Sequence, residues 1–255
     1  MKVRAGAYTG KGIRPRNEDA FLCALQQGGG IQDSGTESGG AEFSGIVDAP
    51  LFFLVADGMG GHDAGAEASS FVTDKMRHAA QTAACGMRFF DESVFEALIK
   101  SIHAAILKEG IKQGTPNMGS TLTGILLQKN SPCAFFNVGD SRVYRLRGGF
   151  IQQLSRDDSL SSIMPEAVKN IITNAIGAGM PDIQVASRFS PTLAVAGDLF
   201  LMCSDGVHGF VSDDDLEKML VEKLPLREIA KQIVDFAIAN NSDDNCTAMA
   251  VKIEE

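Results

Sequence analysis

Four aspartates lie at the ends of apolar segments, beside glycine or other turn residues. They are Asp57 after LFFLVA, Asp140 after AFFNVG, Asp205 after LFLMCS and Asp244 shortly before TAMAVKI. A carboxylate at a strand end is an oxygen ligand on a rigid support, and a neighbouring glycine lets backbone carbonyls come close. Carboxylates that converge repel one another unless a hard divalent cation lies between them. The pattern therefore predicts a metal site built from oxygen atoms.

Oxygen ligands without cysteine indicate Mg²⁺ or Mn²⁺ rather than zinc. Two such ions about 3.5–4 Å apart generate hydroxide from a bridging water and hold phosphate oxygens for in-line attack. The alternative is that each Asp-Gly pair is simply a turn, which is what an isolated Asp-Gly usually forms. Two apolar runs that end in Asp-Gly, together with GDSR and SDDN at further strand edges, favour the metal site.

The apolar segments read as short strands separated by turn residues. Nine strands are predicted, at Val3–Tyr8, Ala20–Leu25, Leu51–Ala56, Thr121–Gln128, Ala134–Val138, Arg142–Leu146, Gln184–Phe189, Leu199–Cys203 and Thr247–Ile253. Leu51–Ala56 and Leu199–Cys203 are continuously apolar, which is typical of strands buried on both faces.

Helical periodicity fills the segments between the strands. The predicted helices cover residues 65–84, 93–106, 212–220 and 226–237. Ser93 with Glu96, and Ser212 with Asp215, are expected to cap two of them. Strands cluster as sequence neighbours and helices come in blocks, so we expect an α+β fold in which helices cover antiparallel sheets.

The overall composition argues against several other classes of protein. The chain has 255 residues, 44% of them hydrophobic, and a net charge of −9 without a cluster of Lys or Arg, which disfavours nucleic-acid binding. The strongest apolar run, Leu51–Ala56, is far shorter than the ~20 residues of a membrane helix. The five cysteines are scattered without a CxxC pair. We therefore expect a reduced, cytoplasmic protein that binds neither nucleic acid nor membrane.

Nothing in the sequence divides the chain into several domains. It shows no internal repeat and no linker, so we expect one domain over residues 1–255. Residues 28–45 are rich in Gly and Ser and poor in large apolar residues, which predicts a flexible loop.

Six motifs, in this order, resemble those of the protein phosphatase 2C family. They are RPRNEDA (14–20), VADGMGGH (55–62), GSTLTGILL (119–127), NVGDSRVYRL (137–146), LFLMCSDGV (199–207) and DDNCTAMAV (243–251). The family consists of metal-dependent protein serine/threonine phosphatases, and DGMGGH is similar to the form in its bacterial branch. The resemblance runs from about Ala5 to Ile253, which is nearly the whole chain.

The resemblance implies a fold and an activity. The fold is a four-layer αββα sandwich, in which two antiparallel sheets pack face to face and helices cover both outer sides. The activity is hydrolysis of phosphoserine or phosphothreonine by a water that bridges two Mn²⁺ or Mg²⁺ ions, with a weaker third ion in bacterial relatives. The implied partners are phosphorylated proteins and an opposing Ser/Thr kinase in signal transduction.

The resemblance also assigns roles to individual residues. Asp57 would bridge both ions, the Gly58 carbonyl would complete one of them, and Asp205 with Asp244 would hold the other. Glu18 and Asp19 would lie beside the centre. Arg14 matches the arginine that binds the substrate phosphate, and Asp140 matches a ligand of the third ion. The catalytic pair is thus Arg14 and Asp57, and the predicted metal set is Asp57, Gly58, Asp205, Asp244, Asp19, Glu18 and Asp140.

Several assignments have a second interpretation. Asp140 is either a metal ligand or a turn residue that caps neighbouring N–H groups. His62 is a candidate general acid, because imidazole titrates near neutral pH, or else it caps the following helix. His78, His103 and His208 are expected to be structural. For the chain as a whole, the alternative function is a catalytically degenerate regulator that binds phosphoproteins without cleaving them.

Supporting residues are expected around the centre. Asn245 is expected to orient the loop that carries Asp244 through hydrogen bonds to the backbone. Ser120 and Thr121 are expected at a strand edge near the site, without a direct catalytic role.

The chain departs from the family pattern after GDSR. The segment SRDDS places Asp158 where the family usually has His, and ITNAIG places Asn174 where it usually has Arg. Residues 155–172 form a shortened version of the family's flap segment. An acidic position four residues after Asp205 is Gly209 here, which makes Asp157 an alternative ligand for the third ion.

Overall fold

The computed structural model describes residues 1–23, 30–32, 38–60, 64–86, 89–163 and 171–255. The strands are β1 (Lys2–Gly10), β2 (Asp19–Cys23), β3 (Gly30–Gln32), β4 (Ser38–Ile46), β5 (Leu51–Met59), β6 (Gly119–Ser120), β7 (Leu122–Leu127), β8 (Cys133–Val138), β9 (Arg142–Arg147), β10 (Phe150–Gln153), β11 (Ile176–Gly177), β12 (Ala186–Ser190), β13 (Leu199–Cys203) and β14 (Cys246–Glu254). The helices are α1 (Ala64–Gly86), α2 (Glu92–Gln113), α3 (Leu160–Ile163), α4 (Asp205–His208), α5 (Asp213–Leu220) and α6 (Leu226–Ala239).

The strands form two sheets whose strands all pair antiparallel. The first sheet has the order β10-β9-β13-β14-β1-β4. The second has the order β11-β6-β5-β7-β8-β12, and β2 joins it through β5 and pairs with β3. In the first sheet, β1 and β14 pair over nine positions, from Lys2 opposite Glu254 to Gly10 opposite Cys246.

Three apolar layers hold the sheets and helices together. One lies between the sheets and includes Phe53, Phe200 and Val251. A second joins the outer face of the second sheet to α1 and α2, and a third joins the outer face of the first sheet to α4, α5 and α6. The order is helices, sheet, sheet, helices, so the predicted four-layer αββα sandwich is confirmed.

Each of the nine predicted strands overlaps an observed strand, and Leu199–Cys203 matches β13 at both ends. The predicted flexible loop over residues 28–45 is wrong for residues 30–32, which form β3 and pair with β2, and for residues 38–45, which belong to β4 and pair with β1 position by position. Backbone pairing with an existing strand does not require apolar side chains, and Phe43 alone of the large residues in β4 is buried. Residues 24–29 and 33–37 lie outside the described part of the chain.

The predicted helix caps have mixed outcomes. Ser212 caps α5, since its side chain accepts from the N–H of Asp215 as predicted. The cap predicted at Ser93 is wrong: α2 begins after Asp91, whose carboxylate accepts from the N–H of Val94 at 2.8 Å. Ser93 instead donates to this carboxylate at 2.7 Å. The capping position therefore lies two residues earlier than predicted, and Asp91 occupies it.

The expectations about membrane helices and disulfides can be compared with the fold. Within the described residues, no helix combines the length and apolar character needed to cross a bilayer. All five cysteines belong to the described part and are free thiols, consistent with the prediction that there is no disulfide framework.

Candidate active site

The two sheets bring acidic residues together at one end of the sandwich. Asp19 begins β2 and lies directly opposite Asp57 where β2 pairs with β5. Asp205 follows β13 and Asp244 precedes β14, and these two strands are neighbours in the other sheet. Asp205 lies close enough to Asp57 for its charge to raise the pKa of Asp57. Four carboxylates from four strands therefore meet between the ends of the two sheets.

Asp19 is almost fully enclosed, with 1% of its surface exposed. Its Oδ2 accepts hydrogen bonds from Ser204 Oγ at 2.8 Å and from Thr247 Oγ1 at 2.6 Å. Its Oδ1 is buried without a hydrogen-bond partner. A buried carboxylate oxygen left without a partner is unfavourable, so this atom is available to a cation.

Thr121 fixes the backbone of Asp57. Its Oγ1 accepts the Asp57 N–H at 3.0 Å, and its own N–H donates to the Asp57 carbonyl at 2.8 Å. The same hydroxyl forms a hydrogen bond with Ser141 at 2.9 Å. Because Ser141 follows Asp140, this one buried side chain connects the strand end that carries Asp57 to the turn that carries Asp140.

Glu18 and the carbonyl of Gly58 lie beside the start of α1. A Cβ atom on Gly65 would overlap Glu18 Oε2 and would lie 2.9 Å from the Gly58 carbonyl oxygen. The Gly58 N–H donates to the Glu18 carbonyl at 3.1 Å. The carboxylate of Glu18 and the carbonyl of Gly58 are therefore close neighbours, and they can be so only because Gly65 has no side chain.

Asn245 fastens the loop after β1 to the strand next to Asp244. Its Oδ1 accepts the Glu18 N–H at 2.7 Å, and its Nδ2 donates to the carbonyls of Lys11 at 2.9 Å and Arg16 at 2.8 Å. The predicted backbone hydrogen bonds of Asn245 are present, but their partners do not belong to the loop that carries Asp244. The backbone it holds is that of the loop after β1, which carries the candidate phosphate-binding arginine.

Arg14 lies at the solvent-exposed edge of the carboxylate cluster. Its Nη2 is 2.6 Å from Asp244 Oδ2, and its Nε donates to the carbonyl of Asp243 at 2.7 Å. The Arg14 side chain is 49% exposed. Exposed ion pairs contribute about 0–1 kcal/mol, so the guanidinium can leave Asp244 for a phosphate group at little cost.

Asp140 lies beside a cavity of about 500 Å³ that Asp205 and Asp244 also line. Its Oδ1 is buried without a partner. The His208 Nε2 donates to the Asp140 carbonyl at 2.9 Å. Asp140 thus has a buried oxygen that is available to an ion, and its role as a metal ligand stays a prediction.

Asp157, the alternative ligand for the third ion, is occupied by an arginine. Arg142 donates to its two oxygens from Nε at 3.0 Å and from Nη2 at 2.7 Å. The guanidinium also donates from Nη1 to Tyr144 Oη at 2.9 Å. Since this paired arrangement satisfies the Asp157 carboxylate, Asp140 is the better candidate of the two.

Crowding raises the pKa of the clustered acids. Desolvation raises the pKa of Asp57 well above its usual value, and repulsion by Asp19 and Asp205 raises it further. Burial is the main cause that raises the pKa of Asp19 and of Asp140 to about 7 each. Desolvation and the charge of Asp244 raise the pKa of Asp205. Mutually repelling carboxylates of this kind are stabilised by divalent cations.

The residues at this site fit hard divalent ions such as Mn²⁺ and Mg²⁺. The donors are all oxygens, and Asp19, Asp140 and Asp205 each have a buried oxygen without a partner. Across the part of the chain that the structure describes, no three acidic, His or Cys side chains already surround one point as ligands. Asp244 is instead held by Arg14. The acids are thus gathered at the site, and ion binding requires them to reorient.

Three of the four histidines lie in the described part of the chain, so their positions can be compared with their expected roles. His62 lies outside the described residues, so its role as a general acid stays a prediction. His103 is buried and accepts the Gly177 N–H at 3.0 Å, and burial lowers its pKa, which confirms a structural role. Burial lowers the pKa of His208 to about 4, so its neutral ring serves to hold the Asp140 carbonyl. His78 lies exposed on α1.

The sequence did not indicate Ser204 and Thr247 as site residues. Their hydroxyls hold Asp19, which is 185 and 228 residues away in the chain. The only local signal is that Ser204 immediately precedes Asp205 and that Thr247 begins the last apolar run. Neither position identifies Asp19 as the partner.

Comparisons with known proteins identify the family to which this chain is similar. The family model described as protein phosphatase 2C matches residues 26–245. The serine/threonine phosphatase Stp of Listeria welshimeri is 30% identical over 230 residues, which cover 85% of this chain and 89% of Stp. The serine/threonine protein phosphatase PstP of Mycobacterium tuberculosis is 29% identical over 235 residues. That match covers 87% of this chain but only 44% of PstP, so this chain spans less than half the length of that relative.

Solved structures are similar over almost the entire fold. PppA of Pseudomonas aeruginosa, described as a key regulatory component of the T6SS, is 26% identical with a TM-score of 0.74, and the match covers 99% of each chain. The catalytic domain of PstP, in a crystal structure with 2 manganese ions, has a TM-score of 0.75 at 24% identity, and the match covers 100% of each chain. The chain therefore belongs to the protein phosphatase 2C family.

Proposed function

We propose that this chain hydrolyses phosphoserine and phosphothreonine in proteins with two Mn²⁺ or Mg²⁺ ions and a weaker third. The observation that carries the proposal is the meeting of Asp19, Asp57, Asp205 and Asp244 at one end of the sandwich, with Arg14 beside them. Carboxylates this crowded call for cations, and a nearby guanidinium suits an anionic substrate.

The residues divide into those that would hold ions and those that would hold phosphate. When bound, two such ions supply an activated water and neutralise the charge on phosphate oxygens. The proposed ligands are Asp57, the Gly58 carbonyl, Asp205 and Asp244, with Glu18 and Asp19 beside them and Asp140 at the third position.

Arg14 is the proposed phosphate-binding residue. Its planar guanidinium can donate to two phosphate oxygens at once and thereby orient the phosphoryl group. Asn245 keeps the loop that carries Arg14 in place through its three backbone hydrogen bonds. Thr121 does the same for Asp57. These two residues would preserve the geometry without touching the substrate.

The proposed setting is the cytoplasm, with phosphorylated proteins as substrates and a Ser/Thr kinase as the opposing enzyme. The bacterial phosphatases PstP and Stp among the relatives support phosphoprotein substrates. We further propose that residues 1–255 act as one catalytic domain, since a continuous apolar layer joins the two sheets that contribute the acids. His62 remains a candidate general acid, and the segment 155–172 is the proposed shortened flap.

The test measures phosphate release from a phosphothreonine peptide by the purified chain, with added Mn²⁺ and then with excess chelator. We expect turnover that requires Mn²⁺, stops with chelator and returns when Mn²⁺ is restored. The Asp205→Ala variant should be at least about a hundredfold slower, because it removes a ligand that supports charge neutralisation. Asp214→Ala, the same change at an exposed position of α5, is the matched control and should keep parental activity.

Two outcomes would count against the proposal. Turnover that is unaffected by chelator would exclude a metal-dependent mechanism. Binding of phosphopeptide and Mn²⁺ without any phosphate release would favour the degenerate phosphoprotein-binding regulator.

A further inference from the structure

The two positions that depart from the family pattern, Asp158 and Asn174, contact each other. Asn174 Nδ2 donates to Asp158 Oδ2 at 2.6 Å. Asn174 also bonds both backbone groups of Gln184, donating to its carbonyl at 2.8 Å and accepting its N–H at 3.1 Å. Asn174 is thereby fixed on a segment that leads into β12, and it presents one N–H group to Asp158.

The same oxygen of Asp158 also holds the turn that precedes Asp140. Asp158 Oδ2 accepts the Gly139 N–H at 3.1 Å, and the Asp158 N–H donates to the Gly139 carbonyl at 3.0 Å. Asn137 Nδ2 donates to that carbonyl as well, at 2.8 Å. Both backbone polar groups of Gly139 are therefore held, chiefly by Asp158.

The backbone conformation and the packing of Gly139 also restrict its position. Its φ of +107° lies in the region that favours glycine, and a Cβ atom there would come within 2.7 Å of the Thr121 side chain. The Thr121 side chain thus packs against the turn. Asp158, which Asn174 contacts, holds the turn by hydrogen bonds. The result is that the next residue, Asp140, is 5% exposed with its Oδ1 left free beside the cavity shared with Asp205 and Asp244.

We propose that Asp158 and Asn174 form a positioning pair, which holds the Gly139 turn so that the Asp140 carboxylate stays available to a divalent ion. The two departures from the family pattern would then compensate each other, since a carboxylate at position 158 needs a short donor at position 174. The inference rests on the proposed function, in which Asp140 serves the weaker third ion. Neither residue of the pair touches substrate or the reacting atoms.

The test measures Mn²⁺ binding to the purified chain by calorimetric titration, with Mn²⁺ alone as the probe. Asp158→Ala removes both contacts to the pair's shared oxygen and should weaken the lowest-affinity Mn²⁺ ion about tenfold or more, which is typical of supporting residues around metal ligands. The tighter ions should bind as in the parent. Asn174→Ala leaves the Asp158–Gly139 bond in place, so it should shift the same ion in the same direction but less.

A conservative variant separates positioning from a general loss of structure. In Asp158→Asn, the amide oxygen can accept from both Gly139 and Asn174, so Mn²⁺ binding should return to the parental value. Asp182→Ala removes an exposed carboxylate from the same segment and should bind Mn²⁺ as the parent does. Melting temperatures of all variants show whether each is folded at the titration temperature.

The inference would be overturned if Asn174→Ala and Asp158→Ala bound every Mn²⁺ ion as the parent does. It would also be overturned if Asp158→Asn lost the weak ion as fully as Asp158→Ala. Both measurements are independent of turnover, so they stand even if the parent releases no phosphate, the outcome that would contradict the proposed function itself. In an active parent, the Mn²⁺ concentration for half-maximal turnover should rise in Asp158→Ala while kcat at saturating Mn²⁺ changes little.

Discussion

Arg14 Nη2 lies 2.6 Å from Asp244 Oδ2, so the candidate phosphate-binding residue is paired with a candidate metal ligand. Both side chains are partly exposed, at 49% and 29%. Solvent screens such a pair, and its contribution to stability is about 0–1 kcal/mol. The ion pair is therefore weak enough to be exchanged. Arg14 can bind a phosphate group and Asp244 can bind a metal ion at little cost in stability.

We expect Arg14→Ala to lower kcat/KM for a phosphopeptide about ten- to hundredfold, because hydrogen bonds to a charged group contribute about 1.5–3 kcal/mol. Arg14→Lys should recover only part of the loss, since an ammonium cannot donate to two oxygens with fixed geometry. Steady-state kinetics at saturating Mn²⁺ provide the measurement. Arg4 is an exposed arginine on β1 that pairs with Glu254 on β14. Arg4→Ala should leave kcat/KM unchanged. Equal losses at both arginines would contradict the role of Arg14.

Stability without metal should fall as the pH rises. The pKa of Asp19 is raised from 3.8 to about 7 in the folded chain, and the pKa of Asp140 is raised likewise. Between about pH 4 and pH 7 the folded state therefore binds more protons than the unfolded state, so the free energy of unfolding decreases with pH in this window. Thermal melts in chelator from pH 5 to pH 8 should show a falling melting temperature. A rising one would contradict the raised pKa values.

Divalent ions should reverse this trend. The carboxylates must lose their protons before they bind an ion, so the affinity for Mn²⁺ should increase as the pH rises through about 7 and binding should release protons. Titration calorimetry in two buffers with different ionisation enthalpies measures the released protons. The stabilisation by Mn²⁺ should accordingly be larger at pH 8 than at pH 5.

Asp57→Asn should separate activity from stability. It removes the central carboxylate, so turnover should fall by more than about a hundredfold. At a pH high enough to ionise Asp57 in the metal-free chain, it also removes a charge that is repelled by Asp19 and Asp205, so the melting temperature should rise there by about 2–4 °C for each 1 kcal/mol of repulsion removed. Differential scanning calorimetry in chelator checks the second effect. A drop in melting temperature would mean that the charge of Asp57 stabilises the fold.

Gly206→Ala should damage the site through the backbone. A Cβ atom at Gly206 would overlap the carbonyl oxygen of Asn245, the residue that fastens the Arg14 loop. Overpacking of this kind costs about 1–3 kcal/mol, and here it also displaces a functional loop. Chemical denaturation and turnover should both show the loss. Asp214→Ala, a change at an exposed position of α5, is the control and should leave both stability and turnover unchanged.

The features that could be predicted from the sequence are those with local signals. Asp57 and Asp205 each follow a short continuous apolar run that is bounded by turn residues, which is typical of a buried strand, so their place at strand ends could be inferred without knowledge of the fold. The signal for the cap at Ser212 is also local, because Asp215 lies three residues later in the sequence. The cap of α2 could not be predicted in this way, because Asp91 and Ser93 are both good capping residues two positions apart, and only the path of the chain into the helix decides between them.

The features that could not be predicted depend on distant partners. Strand β4 contains few apolar residues and exists because β1 offers it an edge. The hydroxyl of Thr247 reaches Asp19 across 228 residues of sequence, and no spacing rule encodes that contact. The hydrogen bond between Asp158 and Asn174 also could not be predicted, because neither residue type indicates the other as its partner.

The pairing of β1 with β14 has a consequence for the time at which the centre can form during synthesis. Asp244 lies just before β14, and Arg14, 230 residues earlier, lies just after β1. A nascent chain that already carries Asp19 and Asp57 lacks both Asp244 and the strand that anchors it until β14 has left the ribosome. The loop that must then close is very long, which favours slow, late assembly. A chain without β14 therefore lacks both the candidate metal ligand Asp244 and the contact that holds Arg14 beside it.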